Sequence, residues 1–561
     1  MTPPRWDREI VFLTAVTACV SLFSFLFCLH HGCVLLYGDA VAHINIARRV
    51  FDSRTPGLLQ LGTVWLPLPH LLMMPFLLSN AAWRNGVGGS LPSLIAHVAG
   101  TVGVFRLVRG ALSFPAEPDL LVRLVAWLAA LTYAANPNLI YLQSTAMTES
   151  LYLALFIWAV LHFNEYLQGR NAADFELQRP VSKSLTKCGL CLAGAELTRY
   201  DAWFAAGIFA GALLILELRE GRLNFRTRSY RSWKNVRKFL LITMAAPVLW
   251  LIYNGLVYRN PLEFANGPYS ARAIEKRTAR PGFPPHPGSG NLTASAQYFL
   301  KSSELNVAEG NWQKFWIVLA LAGISLTAFL DRRLASLLLL WIPLPFYMLS
   351  VAYGGVPVFV PTWWPFSYYN VRYGLQLLPA MAVFVALAFY FLATLARPIP
   401  SKIGIGVAAL ALVSGSYLGV WRAQPVCFRE AWVNSRSRLA LETKLADQLR
   451  NLPSTSTILM YLGDHVGALQ DAGIPLRRTI NEGNHRTWKQ PSDPEGLWEK
   501  ALRSPAEYAD YAVAIEGDPV SHALARSQLD LPRTADIDVD GQPHTAVVQL
   551  NPRAPVISPV N

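Results

Sequence analysis

The feature that most constrains this chain is a series of eleven apolar segments between residues 11 and 421. A helix that crosses the hydrocarbon core of a membrane needs roughly 20 apolar residues. The bilayer interior offers no water to the backbone, so spanning segments fold as helices or as closed barrels. Because 53% of the 561 residues are hydrophobic and only 15% are charged, we predict a mainly α, polytopic membrane helix bundle.

Basic residues occur in alternate loops between these segments, and this pattern predicts the topology. Arg106 and Arg109 follow the second segment, Arg170 and Lys183 follow the fourth, and a basic run occupies residues 219–238. Because Lys and Arg concentrate in cytoplasmic loops, the N-terminus is predicted to be cytoplasmic and the residues after 421 external. The predicted spans are 11–36, 91–108, 120–135, 147–166, two passes within 187–219, 239–256, 312–331, 334–353, 373–396 and 403–421.

Three loops are predicted to be external, at residues 38–90, 257–311 and 354–372. The first contains an apolar, Pro-containing piece at 66–78, which is too short to span comfortably and is predicted to be a juxtamembrane helix. The second contains a Pro/Gly-rich stretch at 281–290, which cannot form a regular helix. We therefore interpret the second loop as a candidate lid.

The region after the last span has a different composition, which indicates a separate domain. Residues 425–561 are mainly polar, with strand-like runs at 457–461 and 511–515 and a helical pattern at 495–502. This alternation predicts a small external α/β domain that follows a transmembrane domain of residues 1–424.

The net charge of +13 raises the question of a nucleic-acid partner. The Lys and Arg residues lie mainly between apolar segments rather than on one polar domain, so no nucleic-acid partner is expected. Cys188 and Cys191 form a CxxC pattern, but a metal site would need a second such pair or nearby histidines. We interpret them as two small apolar residues of a helix.

Ionisable residues near the external helix ends are the candidates for function, because such groups are costly close to a membrane core. Each also has a structural interpretation. These candidates are Asp39, His43, Glu149, Arg199, Asp201, Glu263, Arg272 and Arg372.

Two acidic residues begin predicted helices on the external face. Asp39 is either an N-cap that accepts backbone N–H bonds or a general base. His43 lies four residues later on the same helix face, where it could orient that base or bind a cation. Glu149 gains from the helix dipole whatever its function. The predicted topology puts Asp39 and Glu149 on one side, so the two carboxylates could share a cleft.

The cationic candidates suit a phosphate, although each has a simpler interpretation. Arg199 and Asp201 could form a surface ion pair, which contributes roughly 0–1 kcal/mol. Arg372 at an external helix end opposes the positive-inside pattern and can bind phosphate with two parallel hydrogen bonds, or it is an interfacial anchor. The run at residues 272–280 holds four cations, and it is either a solvated face or part of a phosphate clamp.

Four short motifs follow one another along the chain, and all are predicted to lie on the external side. They are Gly38-Asp39-Ala40, Thr148-Glu149-Ser150-Leu151-Tyr152, Leu197-Thr198-Arg199 and Val371-Arg372-Tyr373. Their order and common sidedness resemble the GT-C superfamily of integral membrane glycosyltransferases that use polyprenyl-phosphate-linked sugars. The second motif looks like the corresponding helix entry of GPI mannosyltransferases. The layout over residues 9–421 is similar to protein O-mannosyltransferases and aminoarabinose transferases.

This resemblance implies transfer of a sugar from a polyprenyl-phosphate donor to a glycan, lipid or protein acceptor on the external face. Asp39 matches the catalytic or metal-linked acid of the first loop, and Glu149 would position the acceptor or a cation. Many members carry two adjacent acids there, whereas this chain has one, so Mg²⁺ or Mn²⁺ is left open as a cofactor. The predicted substrate-binding residues are His43, Arg199, Asp201, Arg272, Arg372 and Tyr373.

The main alternative is a membrane transporter or lipid flippase, in which ionisable groups line a path near the bilayer midplane. Here the ionisable candidates gather at one face, and the sequence has no evident inverted repeat, so an enzyme of the plasma (inner) membrane is favoured. A membrane anchor for the C-terminal domain is a third interpretation. The sugar, carrier and acceptor stay open.

Overall fold

The computed structural model of the protein describes residues 7–113, 116–171, 181–221, 229–279, 281–396, 398–463, 465–484, 495–527 and 531–551. Arg280, the last cation of the predicted basic loop, lies outside these residues, as does part of the basic run at 219–238.

The predicted membrane helix bundle is confirmed. In the described residues, nine helices are long and apolar enough to cross a membrane, or ten if one bent pair counts as a single span. The nine are Arg8–His30, Val87–Ser113, Glu149–Arg170, Asp201–Arg219, Trp233–Tyr258, Trp312–Leu330, Arg332–Tyr353, Val371–Leu395 and the apolar part of Ile399–Arg450.

Two of the eleven predicted spans account for the lower number. The third is a pair of helices, Leu120–Ala134 and Pro137–Gln143, that bend by 59° relative to each other. Asn136 caps the second helix by accepting bonds from two backbone N–H groups, and Pro137 takes the first helical position. The fifth predicted span is the helix Val181–Glu196, whose 16 residues fall short of a full crossing.

The chain folds into two compact units. The first comprises Met1–Cys28, Pro92–Ile252 and Leu262–Glu430, and the second comprises Leu29–Leu91, Tyr253–Pro261 and Ala431–Asn561. The second unit thus joins the first predicted external loop to the C-terminal region.

In the first unit, the core is built around the helix Leu378–Leu395. A helix that is apolar on all sides is normally buried, and nearly every side chain of this helix is buried. It packs against Trp312–Leu330 and Leu120–Ala134. Gly323 is required at this contact, because a Cβ there would overlap the backbone carbonyl of Phe384.

In the second unit, residues 29–91 form short helices, and the segment predicted to be a juxtamembrane helix is helical. The segment at 66–78 consists of an α-helix and a 3-10 turn that follows it directly. Each of the two elements has a proline in its first two positions, where the missing N–H group costs no hydrogen bond. The short helices and turns within residues 29–91 are Gly38–Arg49, Leu58–Leu61, Leu68–Met73, Met74–Leu78 and Asn80–Arg84.

The C-terminal region forms the predicted small α/β domain. Its strands are β1 (Ile458–Met460), β2 (Thr479–Ile480), β3 (Tyr511–Ile515), β4 (Arg533–Ile537) and β5 (Thr545–Gln549). They form a five-stranded sheet in the order β2-β1-β3-β5-β4, with parallel pairs β1/β2 and β1/β3 and antiparallel pairs β3/β5 and β4/β5. The remaining helices in the described residues are Glu263–Asn266, Ala271–Thr278, Leu292–Val307, Val426–Arg450, Gly467–Ala472, Leu497–Arg503, Pro505–Tyr508 and Pro519–Ser527, with 3-10 turns at Arg332–Trp341, Val371–Leu377 and Leu476–Arg478.

Candidate functional site

In the first unit, two predicted site residues begin helices. Glu149 is the first residue of Glu149–Asn171, and Asp201 is the first residue of Asp201–Gly221. A carboxylate in the first turn interacts favourably with the helix dipole, so the local sequence favours both starts. Both side chains point into a buried group of charges. This arginine–carboxylate cluster consists of Glu149, Arg199, Asp201, Arg372 and Glu430.

Arg199 lies at the centre of the cluster. Its Nη1 is 3.3 Å from Oε1 of Glu149, and its Nε is 3.3 Å from Oδ2 of Asp201. Its Nη2 donates a hydrogen bond of 2.8 Å to the hydroxyl of Tyr347. The Arg199 side chain is 15% exposed and the two carboxylates only 1–2%. The interpretation as a surface pair is therefore wrong, since breaking a buried ion pair is far more costly.

Arg372 makes the second set of ion pairs. It lies in the 3-10 turn Val371–Leu377, and its Nε is 3.3 Å from the same Oε1 of Glu149 that Arg199 contacts. Its Nη1 is 3.2 Å from Oε1 of Glu430, and its backbone N–H donates to Oε2 of that residue at 3.2 Å. Glu430 therefore holds both the main chain and the side chain of Arg372.

Tyr373 lies between the two arginines. The guanidinium carbons of Arg199 and Arg372 are each 5.1 Å from the centre of its ring. A cation over an aromatic face is attracted by the ring quadrupole, and more strongly where water is excluded. Tyr373 thus helps to keep the two positive charges near each other.

The cluster contains three carboxylates and two guanidinium groups, so its acidic groups outnumber its basic groups by one. Oε2 of Glu149 is buried and has no hydrogen-bond partner among the described residues. A buried acceptor of this kind is costly unless a ligand satisfies it, and a carboxylate oxygen accepts from a hydroxyl or binds a cation. Within the residues that the structure describes, no group of three or more His, Cys, Asp or Glu side chains could hold a metal ion.

Two residues of this site were missed by the sequence analysis. Glu430 lies beyond the last predicted span and was assigned to the C-terminal domain. An acidic residue shortly after a predicted external helix end could have been added to the candidate site residues on that ground. Tyr347 lies inside a predicted span, and its hydroxyl also donates to Asp201 at 3.1 Å. Nothing in its local sequence distinguishes it from a core aromatic residue.

The turn that carries Arg372 depends on a close approach of two backbones. Gly374 faces the helix Leu292–Val307, and a Cβ at Gly374 would lie 2.5 Å from the carbonyl oxygen of Ser302. Such a distance forces a backbone shift. We therefore expect Gly374→Ala to destabilise the protein by about 1–3 kcal/mol, the usual cost of overpacking, and to displace Arg372. Thermal unfolding in detergent measures this effect.

A matched control for Gly374→Ala is Gly406→Ala. Gly406 is exposed on the helix Ile399–Ala423, and no atom lies within 4 Å of its Cβ position. The control is expected to unfold at or above the wild-type temperature, since Ala favours a helix over Gly. Equal melting temperatures for the two variants would contradict the close-approach argument.

In the second unit, Asp39 occupies the first turn of the helix Gly38–Arg49. A helix was predicted to begin at Asp39, and one is present there. The N-cap residue is Tyr37 rather than Asp39, so the interpretation of Asp39 as the cap is wrong. Asp39 is half-buried, and its position in the first turn still favours its negative charge.

His43 lies on the same helix and is buried beside a second histidine. Its Nδ1 is 2.9 Å from Nε2 of His70, so one ring donates to the other. Its ring also lies 4.7 Å, centre to centre, from that of Trp65. Burial, together with the nearby charges of His43 and Arg49, lowers the pKa of His70 well below its ordinary value. His70 is therefore neutral at neutral pH, which suits it to orient His43.

Arg272 has a different environment from the cluster. It lies on the exposed helix Ala271–Thr278 and donates two hydrogen bonds, of 3.2 and 2.8 Å, to the carbonyl of Tyr353. In the described residues, Arg272 contacts the backbone at Tyr353 and not Glu149, Arg199 or Arg372. The predicted loop 257–311 is also more regular than expected, because Leu292–Val307 within it is a helix with one buried side.

The structure therefore brings together Glu149, Arg199, Asp201, Arg372 and Tyr373 in the first unit, and describes Asp39 and His43 in the second. The functional roles of these residues remain predictions. That Asp39 and Glu149 share a cleft also remains a prediction.

No protein-family model and no curated protein sequence matches this chain. Solved structures do resemble it. ArnT from Cupriavidus metallidurans bound to undecaprenyl phosphate has a TM-score of 0.58 at 14% identity, and the match covers 99% of this chain and 100% of ArnT. The same protein in the apo state has a TM-score of 0.53 at 14% identity, with 97% and 98% covered.

The oligosaccharyltransferase of Archaeoglobus fulgidus in its apo form has a TM-score of 0.52 at 12% identity. That match covers 91% of this chain and 70% of the archaeal chain. These similarities establish a shared fold. They confirm the predicted GT-C-like architecture of a membrane helix bundle followed by a small α/β domain.

Proposed function

We propose that this chain is an integral membrane glycosyltransferase that transfers a sugar from a polyprenyl-phosphate donor to an acceptor on the external face of the plasma membrane. The shared fold extends over the whole of ArnT, which was crystallised with undecaprenyl phosphate. Fold alone does not define a reaction, so the proposal depends on the chemistry of the arginine–carboxylate cluster.

The observation that carries the proposal is that two largely buried arginines, Arg199 and Arg372, contact one carboxylate oxygen, Oε1 of Glu149. Charges of this kind near membrane helix ends are costly, and this cost indicates a functional site. Arginine matches the geometry of a phosphate with its planar fork of donors. A donor phosphate can replace carboxylate contacts of Arg372 while Glu430 still holds the main chain of that residue.

The proposed reaction is an inverting transfer. The acceptor oxygen forms a bond to the anomeric carbon while the bond from that carbon to the phosphate oxygen breaks. The electron pair of the broken bond stays on the phosphate, where Arg372 and Arg199 stabilise the charge that develops. Asp39 accepts the proton of the acceptor hydroxyl as general base. The second oxygen of Glu149, Oε2, accepts a hydrogen bond from the acceptor. If a divalent cation such as Mg²⁺ or Mn²⁺ is bound, this oxygen would instead help to hold it.

Three residues complete the proposed assignment. His43 orients the base, and Asp201 holds Arg199 in place from the start of its helix. Arg272 binds the lipid-linked phosphate from the loop side as it approaches. The motif around Glu149 makes a hexose such as mannose the first donor sugar to test, with a glycan, lipid or protein as acceptor.

The test is an assay of the purified protein in lipid nanodiscs with undecaprenyl-phosphate-linked sugars. Transfer releases undecaprenyl phosphate, which mass spectrometry detects, and yields a sugar-modified acceptor. A flippase would instead move a labelled donor across vesicle membranes without releasing the lipid phosphate. Movement of the donor without release would overturn the proposal.

The topology itself gives a separate prediction. A reporter fused after Pro425 is expected to give an external signal, and one fused after Arg219 a cytoplasmic signal, because basic loops remain on the cytoplasmic side. Paired alkaline phosphatase and fluorescent protein fusions measure both. A cytoplasmic signal after Pro425 would contradict the assignment of the external face.

A further inference from the structure

The C-terminal region is tied to the first external segment by buried side chains within the second unit. Asn45 donates to Oε1 of Gln470 at 2.7 Å, and Gln470 donates to the carbonyl of Trp83 at 2.7 Å. The indole N–H of Trp83 donates back to Oδ1 of Asn45 at 3.0 Å. All three side chains are buried. This closed ring joins the helix Gly38–Arg49 to the helix Gly467–Ala472.

The C-terminal end of the helix Gly38–Arg49 is held in a similar way. Asp52, which is buried just beyond it, accepts bonds from the backbone N–H groups of Leu476 and Arg477, both at 3.3 Å. It also accepts from Nε of Arg48 at 2.9 Å. Charged hydrogen bonds of this kind are stronger than neutral ones, so the end of this helix is firmly placed against the C-terminal domain.

The beginning of the same helix is contacted by Arg438. One nitrogen of its guanidinium, Nη2, donates to the carbonyls of both Leu35 and Leu36, each at 3.0 Å. The other, Nη1, is paired with Glu442 one turn later on the helix Val426–Arg450. Both side chains of this ion pair are largely buried, with 12% and 5% exposed.

The two carbonyls lie directly before Tyr37, the N-cap of the helix that carries Asp39. A Cβ added at Gly38 would lie 3.8 Å from Nε of Arg438, so the guanidinium also packs against the first residue of the helix. The chain direction at this point determines where the helix starts, and therefore where the carboxylate of Asp39 points.

We infer that Arg438, held by Glu442, is a positioning residue that sets the orientation of Asp39, and that the C-terminal domain thereby takes part in transfer. This inference rests on the proposed function, in which Asp39 is the general base. Arg438 acts through the backbone at Leu35 and Leu36 rather than on the substrate. A general base works only within hydrogen-bond reach of its proton, so a small error in its direction slows the chemical step.

The expected effect of Arg438→Ala is a loss in kcat of roughly 10- to 100-fold, because an error of about 1 Å in placement can cost about 10²-fold. The KM for the donor should change little, since donor binding does not involve the displaced base. Arg438→Lys keeps the charge and can still reach a carbonyl, so it should recover part of the lost rate. Arg436→Ala is the matched control, because Arg436 is exposed on the same helix, and it should leave kcat unchanged.

The decisive experiment combines Arg438→Ala with Asp39→Asn. If Arg438 acts through Asp39, the two effects are not additive, and Arg438→Ala should cause no further loss once the base is absent. Residual transfer by Asp39→Asn is measured with excess enzyme. An equal fold-loss in both backgrounds would show that Arg438 has only a general structural role, and would overturn the inference.

Two further outcomes are distinguishable. If Asp39→Asn itself transfers sugar at nearly the wild-type rate, the proposed base is wrong, whatever Arg438 does, and the inference falls with it. If Arg438→Ala does not yield folded protein, Glu442→Gln replaces it, since Gln keeps the shape but removes the charge that holds Arg438. A smaller loss by Glu442→Gln that disappears in the Asp39→Asn background supports the inference, and an unchanged loss overturns it.

Discussion

Asp39→Asn is expected to lower sugar transfer by roughly 10²-fold or more, the usual scale for removing a general base. Asn has nearly the shape of Asp, but its amide cannot accept the proton of the acceptor hydroxyl. Because Tyr37 and not Asp39 is the N-cap residue of the helix, the substitution leaves the cap residue itself unchanged. The variant should therefore fold and insert like the wild type, which thermal unfolding and size-exclusion chromatography in detergent can measure.

The matched control for Asp39→Asn is Asp119→Asn. Asp119 caps the helix Leu120–Ala134 by accepting a bond of 2.8 Å from the N–H of Val122. Asn is nearly as good a cap as Asp, so this control should keep both stability and transfer activity. A folded Asp39→Asn enzyme with activity within a few-fold of wild type would end the assignment of Asp39, and Glu149 would become the leading candidate base.

Arg372→Ala is expected to have the second large effect, with kcat reduced by roughly 10²- to 10³-fold, the range for removing one donor that stabilises a developing negative charge. It should also destabilise the protein, because Glu149 and Glu430 would each lose a partner while remaining buried. Breaking a buried ion pair by removing one partner costs about 3–5 kcal/mol. Melting temperatures and donor kinetics, measured on the same preparation, separate the two effects.

Arg372→Lys makes the test more specific. Lysine restores the positive charge but not the planar fork of donors, so stability should largely return while the KM for the donor rises. Arg333→Lys is the control, since Arg333 is exposed and pairs with the neighbouring Asp331 at the surface. Surface pairs contribute little. Wild-type transfer by both Arg372 variants at normal protein levels would make Arg372 an interfacial anchor.

The local sequence is sufficient to predict the fold class and the positions of the long apolar helices. The length and hydrophobicity of a segment are local properties, and a membrane requires each span to satisfy its own backbone. For this reason all eleven predicted spans are helical, including the short Val181–Glu196. Local rules also placed Glu149 at a helix start and predicted two of the five strands, β1 and β3. They misplaced the cap at Asp39, because the N-cap residue is Tyr37, two residues earlier.

Which charged side chains contact each other depends on the tertiary structure. Glu430 lies 58 residues after Arg372, and Gln470 lies 425 residues after Asn45. Such pairs depend on how helices and loops pack, and no periodicity or composition encodes them. The sequence suggested that Arg199 pairs with Asp201, but not that both are buried with Tyr347. It also did not predict that residues 29–91 fold with the C-terminal domain, since that association depends on buried hydrogen bonds that form only when distant segments meet.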